Sequence, residues 1–115
     1  IINITSVAGV IGGYGQTSYG AAKGGLISLA KSVALEGARY NITANCVAVG
    51  IAATEAYLEG LPKAVQEKVE KKTAVGRPAE PKEIADAICH LASDKGRYMT
   101  GAVMNMLGGM DLFVF

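Results

Sequence analysis

Residues 1–40 read IINITSVAGVIGGYGQTSYGAAKGGLISLAKSVALEGARY, and this segment predicts the order of the first elements. Residues 1–5 are rich in β-branched side chains and apolar enough to predict a strand buried on both faces. Four glycines between Val7 and Gly15 predict a loop. Residues 18–40 have the spacing of a long helix. The apolar stripe predicted for this helix consists of Ala22, Leu26, Leu29, Ala30 and Val33.

The rest of the chain alternates strands and helices. In chain order we expect a strand over residues 42–49, a loop over 50–54, a charged helix over 62–72, a helix over 81–92 and a strand over 102–106. Pro62 and Pro81 would each stand in the first turn of a helix, where proline is tolerated. Such an alternation predicts an α/β fold built on a parallel sheet.

The composition excludes several classes of function. Half of the 115 residues are hydrophobic and 18% are charged, which is typical of a folded α/β core rather than a disordered tail. The net charge is +1, and no basic run is longer than Lys71-Lys72, so we expect neither a nucleic-acid partner nor a polybasic membrane patch. No run of apolar residues approaches the ~20 needed to span a bilayer.

The cysteines and the histidine carry no pattern of a metal or redox site. Cys46 and Cys89 are isolated, so we expect reduced, buried thiols rather than a disulfide or a reactive thiol. His90 has no second histidine or cysteine at ligand spacing. We therefore expect no metal site.

Ser6, Tyr19 and Lys23 form the pattern with the clearest chemistry. Tyr19 and Lys23 are four residues apart in the predicted long helix, so they lie on one face, a single turn from each other. An ammonium there favours the phenolate form of a tyrosine, whose free side chain titrates only near pKa ~10. The Ser6 hydroxyl could hold a substrate oxygen. The alternatives are a surface Tyr/Lys pair and a serine that ends a strand in a turn.

The segments around these residues resemble the short-chain dehydrogenase/reductase family, and most closely its 3-oxoacyl-[acyl-carrier-protein] reductase branch. The similar segments are INITSVAG (2–9), GQTSYGAAKGGL (15–26), NITAN (41–45), GRPAEPKEIA (76–85), LASD (91–94) and TG (100–101). The resemblance therefore extends over nearly the whole chain. It implies the C-terminal part of a doubly wound, Rossmann-type parallel sheet with flanking helices.

The resemblance also implies roles for the three residues. Tyr19 would be the general acid/base, and Lys23 would assist it and bind the nicotinamide ribose. Ser6 would orient the substrate oxygen. The implied activity is NAD(P)-dependent hydride transfer between a nicotinamide and a carbonyl or secondary alcohol, with a 3-oxoacyl thioester or similar ketone as substrate. The choice between NAD and NADP is left open.

The loop after the second strand is implied to hold the nicotinamide through Gly50, Ala52 and Thr54. Val49 stands where the family usually has proline, which leaves the loop freer because proline would fix its φ. Leu107 replaces a common aspartate or asparagine at a position that looks structural. The alternative for residues 50–54 is an ordinary strand-to-helix loop.

The chain is expected to be one unit, residues 1–115, that forms the catalytic C-terminal half of such a domain. The dinucleotide-binding half would be absent, so this piece alone is expected to be inactive and to bind NAD(P) poorly. Family members imply a cytoplasmic homo-dimer or homo-tetramer. The apolar tail, residues 110–115, could pack across a subunit interface.

Two other functions stay open at this point. The chain could be a non-catalytic fragment that serves as a scaffold or interaction module of the same fold. It could also belong to an enzyme that oxidises a sugar or steroid alcohol.

Overall fold

The computed structural model describes residues 1–112. Its strands are β1 (Ile2–Ser6), β2 (Asn45–Val49) and β3 (Val103–Met106). Its helices are α1 (Val7–Ile11), α2 (Thr17–Gly37), α3 (Glu55–Gly60), α4 (Lys63–Glu70) and α5 (Pro81–Ala92), with short 3₁₀ turns at Ala38–Tyr40 and Asp94–Gly96. The last three residues of the predicted apolar tail lie outside the described part of the chain.

Among residues 1–112 the strands form one parallel sheet in the order β1-β2-β3. The central strand is covered on both faces: the Cys46 thiol donates to the carbonyl of Leu26 in α2, and Val47, which points the opposite way, is also fully buried. Helix α5 contacts β2 as well. The predicted α/β fold with a parallel sheet and flanking helices is confirmed.

The predicted loop over residues 7–15 is wrong in its first half, because residues 7–11 form α1. Ser6 caps this helix: its Oγ accepts the Ala8 backbone N–H at 3.3 Å. Gly12 ends the helix at a φ of +80°, a conformation that glycine adopts without strain. Of the four glycines only Gly9 lies within the helix, and only the second half of the segment is a loop.

Helix α2 is confirmed, but its predicted apolar stripe is wrong in part. The residues that it buries are Ala30, Ala34 and Gly37, whereas Leu29 is 50% exposed and Ala22 is exposed as well. Small side chains face the sheet because they let the helix approach β1 and β2 closely. Hydrophobicity alone favoured the larger leucine.

Helices α3 and α4 follow β2 and precede α5 along the chain. Helix α3 was not predicted from the sequence. Buried Tyr57 of α3 donates its hydroxyl to Glu70 Oε1 of α4 at 3.1 Å. The Gln66 amide of α4 lies 3.2, 3.0 and 2.8 Å from the carbonyls of Tyr57, Leu58 and Leu61. These bonds satisfy carbonyls at the end of α3 and tie the two helices together.

Helix α5 agrees with its prediction over residues 81–92. Pro81 stands in the first turn, and Glu80 and Glu83 form a capping box around it. Glu83 also accepts a two-pronged ion pair from Arg77, with both N–O distances at 2.8 Å. The Arg77 hydrogen bonds, together with the Glu80 backbone N–H, lower the pKa of Glu83 to about 2.

The strand predicted over residues 42–49 was too long, because β2 begins only at Asn45. The chain before it makes a turn at Asn41, which takes a left-handed conformation.

The expectation of two buried thiols was wrong for one of them. Cys46 is fully buried, and this burial raises the pKa of its thiol, but Cys89 is exposed on α5. Both cysteines are free, as expected.

Candidate functional site

Ser6 and the start of the loop over residues 50–54 lie at the carboxyl edge of the sheet, where parallel α/β folds bind their ligands. Ser6 is the last residue of β1 and pairs directly with Val49, the last residue of β2. Val49 in turn pairs with Met106 at the end of β3. The sheet register therefore brings Ser6 next to the loop that begins at Gly50.

Ser6 ends β1 in a turn, which is the role that the sequence offered as the alternative to binding a substrate oxygen. The same hydroxyl can still form a second hydrogen bond. Its Oγ accepts the Ala8 N–H, which fixes the side chain at the start of α1. A hydroxyl that accepts a hydrogen bond still has its own proton to donate. A substrate oxygen beside the end of β1 could receive that proton.

Tyr19 and Lys23 lie on one face of α2, as their spacing predicted. The Lys23 ammonium is 5.8 Å from the centre of the Tyr19 ring. Tyr19 is 45% exposed, so its phenol is open to a small molecule. Among residues 1–112, Lys23 is the charged side chain that lies against this ring. This geometry places a positive charge beside an accessible tyrosine ring.

The Lys23 ammonium also donates a hydrogen bond to the carbonyl of Ile4 at 3.0 Å. The carbonyl of Ile1 points toward β2, where it accepts the Asn45 N–H. Backbone groups alternate along a strand, so the carbonyl of Ile4 points to the opposite side of β1. Lys23 thus links α2 to the side of β1 that faces away from β2. Its ammonium has further N–H groups that can donate to other acceptors.

Glycines allow α1 and α2 to lie backbone against backbone beside these residues. A Cβ on Gly9 would stand 2.7 Å from the Lys23 carbonyl carbon, and one on Gly24 would stand 3.3 Å from the Gly9 oxygen. A Cβ on Gly20 would lie 3.1 Å from the Ala8 oxygen. This close packing fixes the start of α2, which carries Tyr19 and Lys23, against the helix that follows Ser6.

The loop over residues 50–54 is anchored at both ends. The Gly50 N–H donates to the Met106 carbonyl at 3.0 Å, so this amide belongs to the sheet. Ala52 forms a parallel bridge with Ala79. Thr54 caps α3, where its Oγ1 accepts the Tyr57 N–H at 3.3 Å.

The donors at this edge fit one end of a nicotinamide nucleotide. Lys23 offers ammonium protons that can bind hydroxyl oxygens, and Thr54 offers a hydroxyl proton. A Cβ on Gly50 would lie 3.1 Å from both the Leu107 oxygen and the Met110 sulfur, so a larger residue there would require these neighbours to shift. Leu107 itself is buried, in agreement with the structural role predicted for it.

Within residues 1–112 no cluster of three or more His, Cys, Asp or Glu side chains is arranged to hold a metal ion. None of the helices in that part of the chain has the length and apolar character needed to cross a bilayer.

Sequence reasoning missed two residues of this site. Thr5 is buried, and its hydroxyl donates to the backbone carbonyl of Lys23 at 2.6 Å. Gly9 makes room for that bond. The available signal was a hydroxyl in the middle of a strand expected to be buried, because a buried hydroxyl requires a partner.

Comparison with known proteins gives consistent matches over this whole region. A family profile described as "Enoyl-(Acyl carrier protein) reductase" matches residues 1–111. Nodulation protein G of Rhizobium meliloti is 44% identical over 112 residues, which cover 97% of this chain and 45% of that protein. The 3-oxoacyl-[acyl-carrier-protein] reductase FabG of Thermotoga maritima is 41% identical over 110 residues, covering 96% and 44%.

A solved structure and one more relative are similar in the same way. The crystal structure of a short chain dehydrogenase family protein from Francisella tularensis superposes with a TM-score of 0.89 at 30% identity, over 98% of this chain and 51% of that one. Acetoacetyl-CoA reductase of an Acinetobacter species is 41% identical over 96% of this chain and 44% of its own length. The chain thus spans less than half the length of these curated relatives.

Proposed function

The chain belongs to the short-chain dehydrogenase/reductase family, and from this membership we propose that the whole protein is an NAD(P)-dependent oxidoreductase. Its substrate would be a ketone, and a 3-oxoacyl thioester is the most specific candidate. The observation that carries the proposal is the pairing of Tyr19 with Lys23 at the sheet edge where Ser6 ends β1. The relatives named for acetoacetyl-CoA and 3-oxoacyl-[acyl-carrier-protein] support this substrate class.

In the proposed reduction, Tyr19 donates its phenolic proton to the substrate oxygen as the carbonyl becomes an alcohol. A bound nicotinamide supplies the hydride for the carbonyl carbon. Lys23 stabilises the phenolate that Tyr19 leaves behind. Ser6, fixed by its bond to the Ala8 N–H, donates a hydrogen bond to the same substrate oxygen and orients the carbonyl.

The residues proposed to hold the nicotinamide end of the coenzyme are Tyr19, Lys23, Gly50, Ala52 and Thr54. Lys23 would bind the ribose hydroxyls, and the Thr54 hydroxyl would bind the carboxamide. Because the Gly50 amide already bonds Met106, Gly50 would contact the coenzyme without donating its N–H. The coenzyme is written NAD(P) because these residues do not contact the part that distinguishes NAD from NADP.

We propose further that residues 1–115 act as one unit, the catalytic half of a longer domain, in a cytoplasmic homo-dimer or homo-tetramer. The continuous sheet from β1 to β3 supports the single unit. The free Cys46 and Cys89 are consistent with a reducing compartment. The exposed Leu29 and Leu35 of α2, at 50% and 82%, are suited to a subunit contact.

The function is tested by adding acetoacetyl-CoA to the full-length protein with NADPH or NADH and following the absorbance of the reduced nicotinamide. We expect turnover with at least one coenzyme, at about 1–100 s⁻¹. A sugar ketose and a steroid ketone in parallel assays separate the substrate classes. A folded protein that consumes neither coenzyme with any of these carbonyls would contradict the proposal and favour a scaffold.

A further inference from the structure

We propose that Thr5 is a positioning residue of this site, whose buried hydroxyl holds Lys23 where it can act on Tyr19. The inference rests on the proposed function of Tyr19 and Lys23. It assigns a role to the residue before Ser6, in the strand rather than in the helix.

The contacts of Thr5 are directed at Lys23. Thr5 is 2% exposed, and its Oγ1 donates to the Lys23 backbone carbonyl at 2.6 Å. Lys23 is in turn a donor to the neighbouring strand residue: its ammonium donates to the carbonyl of Ile4 at 3.0 Å. Two consecutive strand residues therefore hold Lys23, one at its main chain and the other at the tip of its side chain.

The helix does not need the Thr5 hydrogen bond for its own stability. A carbonyl inside a helix accepts the N–H four residues further on, and its second lone pair is free for another donor. The hydroxyl of Thr5 therefore adds a link between β1 and α2. A valine of the same shape would fill the same space without that link.

Gly9 encloses this link from the side of α1. A Cβ on Gly9 would lie 2.7 Å from Thr5 Oγ1 and 2.7 Å from the Lys23 carbonyl carbon. The hydrogen bond thus sits in a space closed by three elements: β1, α1 and α2. Loss of the hydroxyl lets α2 shift at residue 23, and such a shift moves the ammonium relative to the Tyr19 ring.

The test compares Thr5→Val with Thr5→Ser by carbon-13 NMR of labelled tyrosine in the full-length protein. The Tyr19 signal is identified by its loss in Tyr19→Phe. Without the hydroxyl, we expect the nuclear Overhauser effect between the Tyr19 ring and the Lys23 side chain to weaken, because the ammonium moves away from its place beside the ring. Thr5→Ser should give the same effect as the unmodified protein, and the signal of Tyr14, which is fully exposed, should not change in any variant.

Two outcomes would overturn the role of Thr5: an Overhauser effect in Thr5→Val as strong as that in the unmodified protein, or one in Thr5→Ser as weak as that in Thr5→Val. If Thr5→Val does not fold, Thr5→Ala replaces it, with the same expected weakening. The catalytic function fails separately, when Tyr19→Phe turns over as fast as the unmodified protein. The NMR comparison requires neither coenzyme nor substrate, so the two failures are distinguishable.

Discussion

Replacing Tyr19 with phenylalanine is expected to lower kcat for carbonyl reduction by about 10²- to 10⁴-fold, the usual contribution of a positioned general acid. The substitution removes the phenolic proton and keeps the ring beside Lys23. The affinity for the coenzyme should change far less, because the Lys23 ammonium and the loop over residues 50–54 are intact. Steady-state kinetics with a fluorescence titration of the coenzyme measure both quantities.

Tyr14→Phe is the matched control for this experiment. Tyr14 is fully exposed in the loop before α2, and it has no lysine four residues on. Its replacement removes the same atom and should leave kcat unchanged. A Tyr19→Phe protein with the same kcat as Tyr14→Phe would show that Tyr19 is not the proton donor.

Replacing Gly9 with alanine is expected to reduce the free energy of unfolding by about 1–3 kcal/mol, the range for an overpacked interior. The new Cβ would lie 2.7 Å from the Lys23 carbonyl carbon and 2.9 Å from the Gly24 nitrogen. Both are backbone atoms of α2, so the clash is relieved only by moving one helix away from the other. Urea unfolding followed by circular dichroism measures the change.

Gly25→Ala is the control for Gly9→Ala. It adds the same methyl group within α2, where a Cβ would meet nothing within 4 Å. Alanine is the better helix former, so this variant should be as stable as the unmodified protein or more stable, by up to about 1 kcal/mol. Equal stability of the Gly9→Ala and Gly25→Ala proteins would mean that α1 and α2 are not in close backbone contact.

Helix α5 could be predicted to the residue because its signals are local. Pro81 marks the first turn, and the Glu80 and Glu83 capping box lies within four residues of sequence. Helix α1 could not be predicted in this way. Its glycine content argues against a helix, and what favours it is the Ser6 cap together with the packing of Gly9 on α2. Tertiary contacts there outweigh the local propensity.

The buried side of α2 also depends on what it packs against. The sequence shows apolar residues on several sides of this helix, and the stripe assigned to the core included Ala22 and Leu29, which are exposed. The sheet instead takes Ala30, Ala34 and Gly37, because a close approach requires small side chains. The spacing of apolar residues in the sequence does not show how closely the helix approaches the sheet.

The residues of the candidate site likewise form two groups: those that local spacing brings together and those that only the folded structure brings together. Tyr19 and Lys23 were predictable as a pair, because four residues of helix bring two side chains together. The pairing of Ser6 with Val49 depends on the sheet register, and the Thr5 bond to Lys23 joins residues 18 positions apart. Neither follows from local spacing. The loop residues Gly50, Ala52 and Thr54 were assigned from the family resemblance. The structure adds that the Gly50 amide donates to the Met106 carbonyl.

Deuterium transfer from labelled coenzyme tests the central claim most directly. The full-length protein is given acetoacetyl-CoA and reduced nicotinamide that carries deuterium at the hydride position, and the product is analysed by mass spectrometry and NMR. The proposed mechanism predicts one deuterium on the carbinol carbon of the 3-hydroxyacyl product, formed far more slowly by Tyr19→Phe. A product without deuterium at that carbon, or equal rates for the two proteins, would contradict it.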